Sequence, residues 1–101
     1  MKQVKIAEAV KATGGILRCG NEEAQIEQVI LDSRLQTEHG LFVPIIGERN
    51  DGHCYIAGAV ENGATAVFLA SSFAGAKEVL EFCKEKQVAV IEVENTVDAL
   101  Q

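Results

Sequence analysis

Two short polar segments hold most of the side chains in this sequence that could bind or react. Asp32-Ser33-Arg34 follows the apolar run IEQVIL, and Gly47 to His53, GERNDGH, follows LFVPII. Arg34 and Arg49 each bring planar N–H donors that bind oxyanions bidentately, and Ser33 adds a neutral donor. Grouped on one edge, they would suit a diphosphate or a carboxylate. Each residue also has a structural role open to it. Asp51 stands just ahead of a predicted helix, where an N-cap contributes about 0.5 to 2 kcal/mol. Gly47 and Gly52 can serve only to permit a turn. Asp32 with Arg34, and Glu48 with Arg49, can be solvated charges contributing less than about 1 kcal/mol. His53, in the first turn of that helix, reads more readily as a structural hydrogen-bonding residue than as a catalyst.

The three cysteines, Cys19, Cys54 and Cys83, are odd in number and widely spaced. They form neither a disulfide ladder nor a C-x-x-C metal site. Cys54 lies beside His53, but adjacent side chains on a helix point in different directions. All three read as small buried hydrophobes. No catalytic residue and no metal ligand is assigned.

These segments need a scaffold, and composition bounds it. The chain of 101 residues makes one domain, 1–101, with 48% apolar and 24% charged residues, as in a folded globular protein. A net charge of -6 with nine Lys and Arg opposes nucleic-acid binding, which needs a basic patch. The apolar stretch from Ala64 to Ala76 is too short to span a bilayer, and the N-terminus lacks the apolar core of a secretion signal. A cytoplasmic location without membrane insertion is expected.

The pattern of apolar residues supplies the elements. Ile6, Ala9, Val10 and Thr13 share one face of a short helix that Gly14 and Gly15 stop. Ile16–Cys19 and Ile26–Leu31 are predicted strands, and Leu41–Ile46 is a third, apolar on both faces. Pro44 cannot donate to a ladder, so that third strand is expected at an edge or with a bulge there. A helix is predicted over His53–Asn62, with Ile56, Ala59 and Val60 inward and Gly63 as its stop. Thr65–Leu69 is a strand, Ala74–Lys86 a helix with Ala76, Val79, Leu80 and Cys83 inward, and Val88–Val93 the last strand. Thr96–Gln101 begins another helix. Alternating strands and helices predict a layered α/β fold, a largely parallel sheet with helices packed on its faces. In such sheets ligands bind outside the carboxyl ends of strands, where both polar segments begin. If their two strands run parallel, the segments share one rim.

The order V-I-L-D-S-R, then G-L-F-V-P-I-I-G-E-R-N-D-G-H-C-Y-I, then A-V-E-N-G-A-T-A-V-F resembles the N-terminal domain of the Mur ligases of peptidoglycan synthesis. Within that family, G-E-R-x-D-G-H looks most like the members that join D-alanyl-D-alanine to UDP-N-acetylmuramoyl-tripeptide. Members that add the third residue of the peptide share the D-S-R and D-G elements and are the nearest alternative. The resemblance implies a division of labour. The N-terminal domain holds the UDP end of the UDP-N-acetylmuramoyl peptide, a central domain binds ATP and magnesium through a G-x-x-G-K-T loop, and a C-terminal domain helps bind the incoming amino compound. The substrate carboxylate is phosphorylated, and the amine attacks the acyl phosphate.

This chain has no G-K-T or G-K-S. It is therefore expected to be the substrate-binding domain alone, without the ATPase and C-terminal domains, with no cofactor of its own and inactive by itself. Asn95 to Gln101 resembles the helix leading toward the ATPase domain. By the same resemblance, Ser33 and Arg34 lie beside the uridine diphosphate. Gly47, Glu48, Arg49 and Asn50 form the loop around uracil and ribose, and Asp51 and His53 belong to that loop, which they bind through or shape. The sequence departs from the family at Glu38-His39-Gly40, where Pro-Gly-Asp is usual, and at Asn50, where many relatives carry an aromatic residue. A stand-alone uridine-nucleotide-binding module without catalysis, or a purely structural domain, remains the alternative.

Overall fold

The computed structural model of the chain describes residues 4–44 and 55–94. Strands β1 (Val4–Lys5), β2 (Ile16–Cys19), β3 (Gln25–Ile26), β4 (Gln28–Ile30), β5 (Gly40–Phe42), β6 (Ala64–Ala70) and β7 (Ala89–Val93) alternate with helices α1 (Ile6–Thr13), α2 (Ile56–Glu61) and α3 (Ala76–Lys86). Five strands form one sheet in the order β2-β7-β6-β5-β4, and β1 and β3 form a separate antiparallel pair. Within the main sheet β4, β5, β6 and β7 are parallel, and β2 joins the far edge antiparallel to β7. The fold is thus α/β with a mixed, mostly parallel sheet between helices, as the alternation predicted.

The core lies on both faces of that sheet. On one, Phe42, Val67, Leu69 and Val90 pack with Ile56 and Ala59 of α2 and Cys83 of α3. On the other, Leu41, Ala66, Phe68 and Ile91 pack with Ile6 of α1, and Ala9 and Val10 lie against them. Successive strand side chains point to opposite faces, so β6 and β7 must be largely apolar to serve both layers. Only Thr65 in β6 and Glu92 in β7 depart from that.

Local chemistry sets the helix ends. The first turn of α1 has free N–H groups, and Ile6 and Ala7 donate theirs to the carbonyls of Ala24 and Glu22 at 2.8 and 2.9 Å. Gly14 ends it at φ 69°, a left-handed conformation that favours glycine. At the end of α3, Val88 donates to the Cys83 carbonyl at 2.8 Å, and Gln87 adopts the left-handed conformation.

Two expectations are corrected. The run IEQVIL is not one strand. Ile26 pairs with Val4 in the small sheet, Glu27 donates its N–H to the His39 carbonyl at 2.8 Å, and only Gln28–Ile30 joins the main sheet. The strand before Pro44 is not at an edge, because β5 is paired on both sides. Its one irregularity lies between Gly40 and Leu41. The strand ends at Phe42, so Pro44 stands beyond the ladder, fully buried, where it needs no N–H. The predicted helix over 96–101 and the start of the one at His53 lie outside the described residues.

Candidate ligand site

The first polar segment is built from β4 outward. Val29 and Ile30 lie beside Leu41 and Phe42 in a parallel register, and the ladder closes with Val43 donating to the Ile30 carbonyl at 2.9 Å. Both chains therefore leave the sheet at the same end. From β4 the chain turns at Asp32, whose Oδ1 accepts the Arg34 backbone N–H at 2.9 Å, and whose carbonyl accepts that of Leu35 at 3.2 Å. An aspartate bonding the backbone two residues on is the usual way this side chain makes a turn.

Arg34 closes on the same carboxylate. Its Nε meets Oδ1 at 3.0 Å and its Nη2 meets Oδ2 at 2.9 Å, a bidentate pair. These side-chain bonds, helped by the Arg34 backbone N–H, hold the Asp32 carboxyl down to about 2 from an ordinary 3.8. The Arg34 side chain is 87% exposed, so the pair is a solvated one and adds little to stability. The exposed guanidinium already carries a carboxylate, so the pair is formally neutral.

Ser33 is held from across the fold. The Asn62 side-chain amide donates to the Ser33 carbonyl at 2.9 Å, and the Asn62 carbonyl accepts the Thr37 N–H at 2.8 Å. Asn62 caps the end of α2 and is two residues from the first residue of β6. The turn therefore leaves the carboxyl end of β4 but crosses the edge of the sheet, toward the amino ends of its neighbours. Sequence reasoning did not single out Asn62. Its signal is the Asn-Gly pair closing a helix, read before only as a stop at Gly63.

The second segment, Gly47, Glu48, Arg49, Asn50, Asp51 and His53, lies outside the described residues. Of the elements that flank it in sequence, β5 pairs with β4, and α2 ends at Asn62.

A shallow depression of about 650 Å³ lies at the amino ends of β4, β5 and β6, beside Gln28, Thr37 and Asn62. Glu27, Glu38 and Glu61 on its rim make it unfit for a diphosphate. Cys83 is buried, and burial pushes its thiol up to about 12, with Cys19 nearby adding to the shift. That opposes a reactive thiolate. Among the described residues no group of three or more His, Cys, Asp or Glu could hold a metal ion. The sequence contains no G-K-T or G-K-S. Among the described residues no helix is long and apolar enough to cross a membrane.

This fold and turn define a class. Residues 25–101 match the family described as Mur ligase family, catalytic domain, and the chain belongs to the Mur ligase family. The relatives it resembles include the UDP-N-acetylmuramoyl-tripeptide–D-alanyl-D-alanine ligase of Bacillus subtilis, 38% identical over 95% of this chain and 19% of the relative. They also include the UDP-N-acetylmuramoyl-L-alanyl-D-glutamate–2,6-diaminopimelate ligase of Bacteroides fragilis, 42% identical over 63% of this chain and 13% of that protein. Among solved structures, a D-alanyl-D-alanyl ligase from Acinetobacter baumannii superposes with a TM-score of 0.77 at 22% identity, over 99% of this chain and 20% of that one. At that identity the likeness shows the fold. The chain spans about a fifth of the length of the full-span relatives.

Proposed function

We propose that these residues bind the UDP end of a UDP-N-acetylmuramoyl peptide within an ATP-dependent ligase of peptidoglycan precursor assembly. The observation that carries this reading is the parallel, in-register pair β4–β5, each strand followed by one of the two polar segments. Ser33 and Arg34 are assigned to the diphosphate, with the outward part of the guanidinium as the donor. Gly47, Glu48, Arg49 and Asn50 are assigned to uracil and ribose, with Asp51 and His53 shaping their loop. The chemistry assigned to these residues is holding, not bond-making; ATP and the acceptor amine are assigned to other domains of such a ligase.

The D-alanyl-D-alanine branch is the preferred one. Its support is GERNDGH and matches covering 95% and 93% of the chain. The diaminopimelate branch has higher identity, 42%, over a shorter span. Titrating the chain with UDP-N-acetylmuramoyl-tripeptide, and with UDP, should shift the NMR signals of Ser33 and Arg34, with weaker binding as salt rises. Shift changes confined to another surface refute the site. The chain alone should release no phosphate from ATP, and genuine turnover would overturn the division of labour. Ligation by the full gene product, offered D-alanyl-D-alanine or diaminopimelate with the matching UDP-linked precursor, separates the two branches.

A further inference from the structure

We infer that Asn62 and Gly63 form a latch that positions the Ser33–Arg34 turn, making Asn62 a positioning residue for the substrate; this rests on the substrate reading above.

Three observations converge on it. The Asn62 side chain donates to the Ser33 carbonyl at 2.9 Å, a contact 29 residues apart in sequence. The Asn62 backbone carbonyl accepts from Thr37 at 2.8 Å, so one residue holds the connection at two points. Gly63 sits at φ 109°, and a Cβ there would stand 1.8 Å from the Thr37 carbonyl oxygen. The loop approaches the backbone so closely that only glycine leaves room for it.

The connection needs such a latch. Leu31 to His39 joins two parallel strands with no helix to pack it down, and Leu31 and Leu35 are exposed. Its shape rests on directed hydrogen bonds: two reach Asn62, and the Gln28 side chain of β4 donates to the Thr37 hydroxyl. The latch also sits at the end of α2, the helix that follows residues 47–54 in the chain. One short helix thus joins both segments assigned to the ligand. Asn62 itself has φ -90° and ψ 10°, the conformation of the second central residue of a type I turn, which most residues adopt, so its backbone does not require asparagine. Its side chain is selected by the bond to Ser33.

The test uses Asn62→Ala, which deletes the donor, and Asn62→Asp, which keeps the size but turns the donor into an acceptor. Glu61→Ala, the exposed neighbour, is the control. Hydrogen exchange is read at the amides of Arg34 and Leu35, which bond to Asp32, and of Thr37, which bonds to the Asn62 carbonyl. Affinity is read by titration with UDP-N-acetylmuramoyl-tripeptide. Both Asn62 variants should exchange faster at these amides and bind roughly two- to tenfold more weakly, the loss expected for one hydrogen bond. Glu61→Ala should change neither, and exchange at the β6 and β7 amides should stay slow in all three. Unchanged exchange at Arg34, Leu35 and Thr37 overturns the latch. Faster exchange with unaltered affinity overturns its role in positioning substrate. A wild-type chain that does not bind the tripeptide nucleotide at all sinks the substrate reading alone, and the exchange rates then decide the latch by themselves.

Discussion

The unit β6–α3–β7 and the unit β4–β5 are both parallel pairs from one sheet, yet they are held by different forces. In the first, two strands pair in unbroken register from Ala66–Ala89 to Ala70–Val93, and a helix of 11 residues covers the crossover. Nearly every strand side chain is buried. In the second, three-residue strands are joined by a bare connection, and Val29 and Leu31 are about half exposed. Parallel crossovers ordinarily run a dozen residues or more through a helix. Here Leu31 to His39 makes the crossing with an aspartate turn, two bonds to Asn62 and a close approach at Gly63. Apolar area fixes the first unit and the β5 strand of the second; a few directional contacts fix the connection between β4 and β5. The polar residues assigned to the ligand sit on the second, where moving them does not cost the core.

That contrast can be broken most forcefully in the core. Leu69 is fully buried between β6 and the α2–α3 layer. Leu69→Ala should destabilise by about 2 to 5 kcal/mol, as buried large-to-small changes do. Val29→Ala, on the half-exposed edge strand, should cost no more than about 0.5 kcal/mol. Urea unfolding of the two variants measures both. Similar losses at the two positions would mean that the edge unit is packed as tightly as the core.

A smaller effect is expected at Gly63. Gly63→Ala places a methyl where the Thr37 carbonyl now stands, at a φ that alanine avoids. The loss should be about 1 to 3 kcal/mol, and it should be local: NMR shifts should move in residues 33–37 while those of β6 and β7 stay. A change spread over the whole sheet would show that the connection and the core are one cooperative unit.

The same contrast governs what the sequence revealed. The helices and strands from Ala64 to Val93 were legible because each is long enough for its period to show, with a stop at Gly63 and a break around Gln87. Gly14 marked the end of α1 as plainly. The run IEQVIL misled because no turn residue interrupts it, while the pairing partner changes at Glu27 from β1 to β5. Period two says which face a residue takes, not which strand it meets. Pro44 misled because the edge rule presumes a proline inside the paired run, and this run stops at Phe42. Of the two polar segments predicted to follow two strands, the first is a turn after β4, and the second lies outside the described residues. Asn62 was not legible, because its partner Ser33 is 29 residues away and no local pattern encodes that contact.

The smallest effect tests the turn itself. Asp32 is held at about 2 by the Arg34 guanidinium, against an ordinary 3.8. A carboxyl lowered on folding contributes stability above its unfolded value, and that contribution is lost as pH falls through the folded one. Because the pair is exposed, the contribution is slight and the unfolding midpoint of Arg34→Gln in urea should match the wild type. The carboxyl resonance is the sensitive reporter. In the wild type it should stay flat as pH drops through about 4, the ordinary carboxylate range; in Arg34→Gln its midpoint should climb toward 3.8, the ordinary value. Saturating UDP should move it the same way in the wild type, because a diphosphate competing for the guanidinium weakens the hold on Asp32 and brings negative charge beside it. A midpoint that stays near 2 in Arg34→Gln would show that the backbone of the turn, not the arginine, sets the carboxylate. One that responds to Arg34→Gln but not to UDP would leave the pair intact and remove Arg34 from the ligand site.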